Sequence, residues 1–230
     1  FIFLIVGNIE EETARSMAEK YIGSLTNLPR KENWIDRKVE GPKGKTNREI
    51  EIPLEVKKST VTVNFNSKME YTPQQNLLLS IFRDILNLRY TEEIREKEGG
   101  TYGVRVMTES QKFPKQEKGL SLMFDTDPDK AQKLKAILYQ EIEKIEKNGP
   151  TAEDLDKAIK NLQKNREESK LHNNYWMQAL NNWYMYSIDT SAPENYENVL
   201  NKITAADVQQ FVKTFISKAD VVDIIFKPKS

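Results

Sequence analysis

Two periods of hydrophobic spacing alternate along the chain. Ile50, Ile52, Leu54 and Val56 recur at every second position, and so do Val61, Val63 and Phe65, the pattern of strands with one buried face. The pattern predicts two neighbouring strands here. Further strands are predicted at about Thr101 to Thr108, about Gly119 to Asp125 and Val221 to Phe226. The opening run from Phe1 to Gly7, with Ile2, Leu4 and Val6, reads as a buried strand feeding a helix, with Asn8 as N-cap and Glu11 as its partner. Ala14, Met17, Ala18, Tyr21 and Ile22 continue that helix to a stop at Gly23.

Helical spacing dominates elsewhere. Thr72, Pro73 and Gln75 form a start signal before Leu77, Leu78, Ile81, Phe82, Ile85 and Leu86, and a short charged helix over Thr91 to Lys97 ends at Gly99-Gly100. Asp127-Pro128 opens a long helix with Leu134, Leu138, Ile142 and Ile145, which closes at Gly149-Pro150. Thr151 to Asp154 and Thr204 to Asp207 open two more. Strand pairs separated by helical pairs predict an α+β fold, an antiparallel or mixed sheet with helices packed mainly on one face. No internal repeat is evident. The polar stretch 29–47, with Gly41, Pro42 and Gly44, reads as a linker, which separates a lead-in over 1–28 from a domain over 48–230. A first residue of Phe rather than Met suggests a piece of a longer protein.

Composition narrows the function classes. The 230 residues hold 35 Lys and Arg against 35 Asp and Glu, interleaved in sign, which argues against a nucleic-acid partner. No apolar run approaches the roughly 18 to 20 residues of a membrane span. With no Cys, thiolate ligands and cysteine nucleophiles are excluded, and one His leaves little room for a zinc site or a Ser-His-Asp triad. His172 therefore reads as a surface or hydrogen-bonded structural residue. The aromatic segment with Tyr175, Trp176, Trp183, Tyr184 and Tyr186 fits core or inter-helix packing better than a peptide- or sugar-binding platform. Glu141, Glu143 and Glu146, each beside lysines, read as a solvated face.

Gly99 and Gly100 follow a helix and precede a strand, the reverse of a phosphate-cradling loop, so a helix C-cap and turn is expected. The turn separates Arg95, on the helix end, from Tyr102, at the strand start, so that both polar tips could converge on one spot. Spacing alone favours an ordinarily packed Tyr102 and a solvated Arg95.

The segment from Arg95 to Tyr102 resembles the Arg and Tyr signature in the C-terminal half of the pitrilysin/insulinase family, zinc metallopeptidases with an inverted His-x-x-Glu-His motif. Further stretches agree in order: Phe3 to Ile9 with Tyr21 to Leu25, Asn148 to Thr151 with Leu155, Lys157 and Ala158, Asn174 to Trp176, and Ile203-Thr204 with Asp207-Val208. The resemblance covers nearly the whole chain and is closest to the long, single-chain bacterial members. It implies the mitochondrial processing peptidase-like metallohydrolase fold and a clamshell of two halves, with zinc bound by the N-terminal half, absent here. It further implies that Tyr102 donates a hydrogen bond to the scissile carbonyl oxygen and that Arg95 holds the substrate backbone. The implied partners are the N-terminal catalytic half and an unfolded peptide substrate; the implied location is the periplasm or cell envelope. The rival expectation is a non-catalytic scaffold or peptide-binding domain of the same fold.

Overall fold

The computed structural model describes residues 2–26, 33, 35, 37–53 and 56–229. Five strands form one mixed sheet in the order β1-β5-β2-β4-β3. These are β1 (Lys45–Ile52), β2 (Ser59–Lys68), β3 (Arg105–Gln111), β4 (Glu117–Thr126) and β5 (Ala219–Pro228). β1 runs parallel to β5, and all other neighbours are antiparallel. The two alternating runs thus become strands that are not neighbours, because the terminal strand β5 inserts between them. Leu54 lies outside the described residues. So does part of the expected linker, whose last three residues open β1 and carry the sheet back to Lys45.

One face of the sheet is dry. Val61, Val63 and Phe65 of β2, Leu120, Leu122 and Phe124 of β4, and Val221 and Ile225 of β5 are buried beneath α2 (Pro73–Tyr90), α3 (Ala131–Asn148) and α7 (Ala205–Ser217). The period-2 rows of the strands meet the helical stripes read from sequence, Leu77 to Leu86 of α2 and Leu134 to Ile145 of α3. The opposite face is more open, with Asn64 and Asn66 exposed.

The N-terminal signals act as expected in three places. Thr72 accepts from the Gln75 amide before Pro73, and Thr151 and Thr204 each form a reciprocal capping box, with Asp154 and Asp207, at the start of α4 (Ala152–Ser169) and of α7. Long buried side chains are also paired. Asp223 of β5 accepts from Lys135 Nζ at 3.0 Å and from the Tyr139 hydroxyl at 2.9 Å.

Four expectations change. Residues 2–7 form no strand, and Ile2, Phe3 and Ile5 are exposed. A strand needs a neighbour to pair its main chain, and the sheet offers this run none. The helix that follows, α1 (Glu11–Tyr21), has Glu10 rather than Asn8 as its N-cap and buries none of its residues. Glu141 is not on a solvated face: it is buried and bonded to Arg89 and Lys144. The aromatic residues of α5 (Asn173–Tyr186) are not core in this chain. Trp183 is 52% exposed, Trp176 and Tyr184 are also exposed, and Ala179 is the buried residue of the helix.

Candidate functional site

α2 does not stop where its hydrophobic stripe ends. It widens into a π-helical segment, Thr91–Lys97, a rare conformation that recurs at functional sites. Ile94 is fully buried and anchors this segment, while Arg95 points to solvent. Lys97 Nζ bonds Glu93 at 2.7 Å and Glu92 at 3.2 Å, so the neighbouring carboxylates are engaged with Lys97 rather than Arg95.

The segment ends in a turn that only glycine serves well. Gly99 has φ of +57°, and a Cβ on Gly100 would lie 2.6 Å from Leu134 Cδ1, so the backbone sits directly on α3. Lys133 Nζ bonds Glu98 at 2.5 Å, and the Thr126 hydroxyl donates to the Gly100 carbonyl at 2.6 Å. The expected turn is present. The strand after it begins four residues later than the alternation suggested, at Arg105, because residues 101–104 bow away from the sheet.

A cleft of about 530 Å³ opens beside this bow. Residues 99–103 line one side and 123–127 the other, with Lys58 and Arg105 completing the lining. Tyr102 projects here at 96% exposure. A tyrosine ring ordinarily buries its body and wets its tip, so a ring this exposed leaves its apolar body uncovered within the chain. Arg95 lies on the preceding segment and does not line the cleft. The cleft carries both signs of charge, Lys58 and Arg105 with Asp125 and Asp127; Asp125 accepts from the Thr60 hydroxyl at 2.6 Å.

The chemistry that the cleft lining offers is hydrogen bonding and charge. Among the described residues no three His, Asp or Glu side chains lie close enough to hold an ion, and the one His, at the exposed start of α5, has no second imidazole to join it. The donors among the described residues do not make up a zinc ligand set. The lining residues Lys58, Arg105 and 123–127 escaped the sequence reading, because their meeting depends on where strand pairing stops.

A second polar cluster lies inside the domain. Lys118 of β4 is fully buried, donating to Asn76 Oδ1 at 2.6 Å and Ser110 Oγ at 2.8 Å. Burial pushes its ammonium down to about 8.

Residues 1–162 match the family described as the peptidase M16 inactive domain. A probable zinc protease PqqL from Haemophilus influenzae is 24% identical over 149 residues, which is 65% of this chain and 16% of that protein. The periplasmic protease PqqL from Escherichia coli shares the fold at a TM-score of 0.75 and 18% identity, over 97% of this chain and 25% of that one. A peptidase M16 inactive domain from Pseudomonas fluorescens superposes with a TM-score of 0.73 at 20% identity, over 97% of this chain and 53% of its own. The chain therefore spans between 16% and 53% of the length of these relatives. With the family matched across residues 1–162 and the same α+β fold in its solved relatives, the chain belongs to the peptidase M16 inactive domain family.

Proposed function

We propose that this domain is the part of a zinc-dependent endopeptidase that encloses an unfolded peptide and stabilises its transition state, while zinc is bound elsewhere in the full-length protein. The observation that carries the reading is Tyr102, almost wholly exposed on a cleft and held by a turn anchored at Ile94, Gly100 and Thr126.

Tyr102 donates its phenolic hydrogen to the scissile carbonyl oxygen. That bond shortens and strengthens as negative charge develops, so it lowers the barrier more than it tightens substrate binding. Arg95 donates to a backbone carbonyl of the same peptide, which fixes its register. Neither residue removes a proton or attacks the substrate, so the isolated chain hydrolyses nothing.

The lead-in over residues 1–28 belongs with a preceding domain, and supporting this, α1 buries no residue against the present fold. The domain itself then starts with β1 at Lys45 rather than at 48. A cell-envelope location follows the Escherichia coli relative, a periplasmic protease by description.

The test is hydrolysis of a fluorogenic unfolded peptide by the full-length protein and by this 230-residue chain. The reading predicts turnover by the former, abolished by a chelator and restored by zinc, and none by the latter. Turnover by the isolated chain contradicts it. So does an inert full-length protein that still binds the peptide, the behaviour of a scaffold.

A further inference from the structure

The cleft beside Tyr102 is a split in the sheet itself. β4 pairs with β3 only as far as Met123, opposite Arg105, yet pairs with β2 as far as Thr126, opposite Ser59. Residues 124–126 therefore have a strand neighbour on one edge and the cleft on the other. Main-chain N–H and C=O groups of a strand point alternately to its two edges, so this stretch directs at least one residue's pair into the gap. The facing wall is residues 99–103. Among the described residues the amides of Thr101 and Tyr102 form no backbone hydrogen bond, and the Gly103 amide reaches the Thr101 hydroxyl, at 3.3 Å. The far end is tied shut by the Thr126 to Gly100 bond.

We infer that this split takes an extended peptide by its main chain, as a short added strand against residues 124–126 with residues 99–103 on its other side. The inference rests on the reading that the substrate is an unfolded peptide and adds how it is held. Recognition through the backbone demands no particular side chain. The mixed charge of Lys58, Arg105, Asp125 and Asp127 agrees, since it favours neither acidic nor basic peptides. The split also explains why Tyr102 stands uncovered: it projects from the wall along which the peptide runs.

The probe is an acetyl- and amide-capped heptapeptide of alternating valine and serine, titrated into the 230-residue chain and followed by amide chemical shifts and hydrogen exchange. Shifts and slowed exchange should concentrate at 101–103 and 124–126. N-methylation of alternate peptide amides should weaken binding by about tenfold or more in one of the two frames, because a methyl removes the donor without changing side chains. Exchanging serine for lysine or glutamate should change affinity by no more than about threefold.

Gly103→Leu blocks the site without strain. A Cβ there meets nothing within 4 Å and the φ lies outside the left-handed region, so the folded state survives while the cleft fills and binding is lost. The inference is overturned if the heptapeptide does not bind, if N-methylation leaves affinity unchanged in both frames, or if Gly103→Leu binds as the parent does. Normal binding of the heptapeptide by the unsubstituted chain together with undiminished hydrolysis by the full-length Tyr102→Phe protein would refute the transition-state role and leave this inference standing.

Discussion

Lys118 holds a charge that meets no carboxylate among the described residues, and replacing it with methionine should stabilise the domain at neutral pH and lose that advantage at alkaline pH. The side chain is fully buried, and its ammonium is met by two neutral oxygens, Asn76 Oδ1 and Ser110 Oγ, with the Tyr71 ring 5.8 Å away. Burial lowers its pKa from 10.5 to about 8. Between those values the unfolded chain binds more protons than the folded one, so stability rises with pH across that window. The whole shift corresponds to at most about 3.4 kcal/mol, of which about 2.5 kcal/mol is recovered between pH 7 and pH 10. Methionine matches the length and removes the desolvation cost; Asn76 Oδ1 still accepts from the Ser110 hydroxyl at 2.6 Å, so only Ser110 Oγ loses a donor, at about 1 kcal/mol. Lys118→Met should therefore be about 2.3 kcal/mol more stable than the parent at pH 7 and within about 0.5 kcal/mol of it at pH 10. Urea denaturation of both proteins at the two pH values reads this directly, and the difference between them cancels every other titrating group. A stability difference that stays constant to within about 0.5 kcal/mol from pH 7 to pH 10 would refute the reasoning.

Asp223→Asn should destabilise the domain by about 3 to 5 kcal/mol in urea denaturation, because it strands the buried Lys135 ammonium that Asp223 now accepts from at 3.0 Å. Thr204→Ala should cost about 1 kcal/mol through loss of the α7 capping box. The same substitution should change the acid limb, since the Thr204 hydroxyl and amide hold the Asp207 carboxyl below its ordinary value of 3.8. Asp207 contributes stability above about pH 4 that is lost as pH falls through its lowered value, so the parent and variant stability curves should converge in acid.

The core was legible because its signals are local and agree with one another. Val61, Val63 and Phe65 in one period met Leu77 to Leu86 in the other, and the caps at Thr72, Thr151 and Thr204 marked where three helices begin. Glu141 was misread and Lys118 passed over, although both had a signal in plain view. Glu141 lies three residues after Leu138 and beside Ile142, on the buried stripe of α3, and Lys118 shares the inward period of Leu120 and Leu122. Charge type outweighed position in reading them, although position decides burial. The order of the strands was not legible, since β5 enters between β1 and β2 from the far end of the chain and no local pattern carries that partnership. The same limit hid the cleft. Tyr102 was singled out, but its surroundings exist only because β3 starts at Arg105 while β4 continues to Thr126.

α1 and α5 show a further limit. Their apolar residues Met17, Tyr21, Trp176 and Trp183 follow helical spacing as a core would, yet remain exposed in this chain. Periodicity reports that a face is suited to burial. It does not say which part of a longer polypeptide covers it.

The central claim is that Tyr102 acts on the transition state of peptide hydrolysis. The measurement is kcat and KM of the full-length protein carrying Tyr102→Phe, with unchanged thermal unfolding as the control for folding. Loss of an oxyanion donor predicts kcat lower by about 100-fold to 1,000-fold with KM nearly unchanged. A kcat/KM within about twofold of the parent would contradict the account.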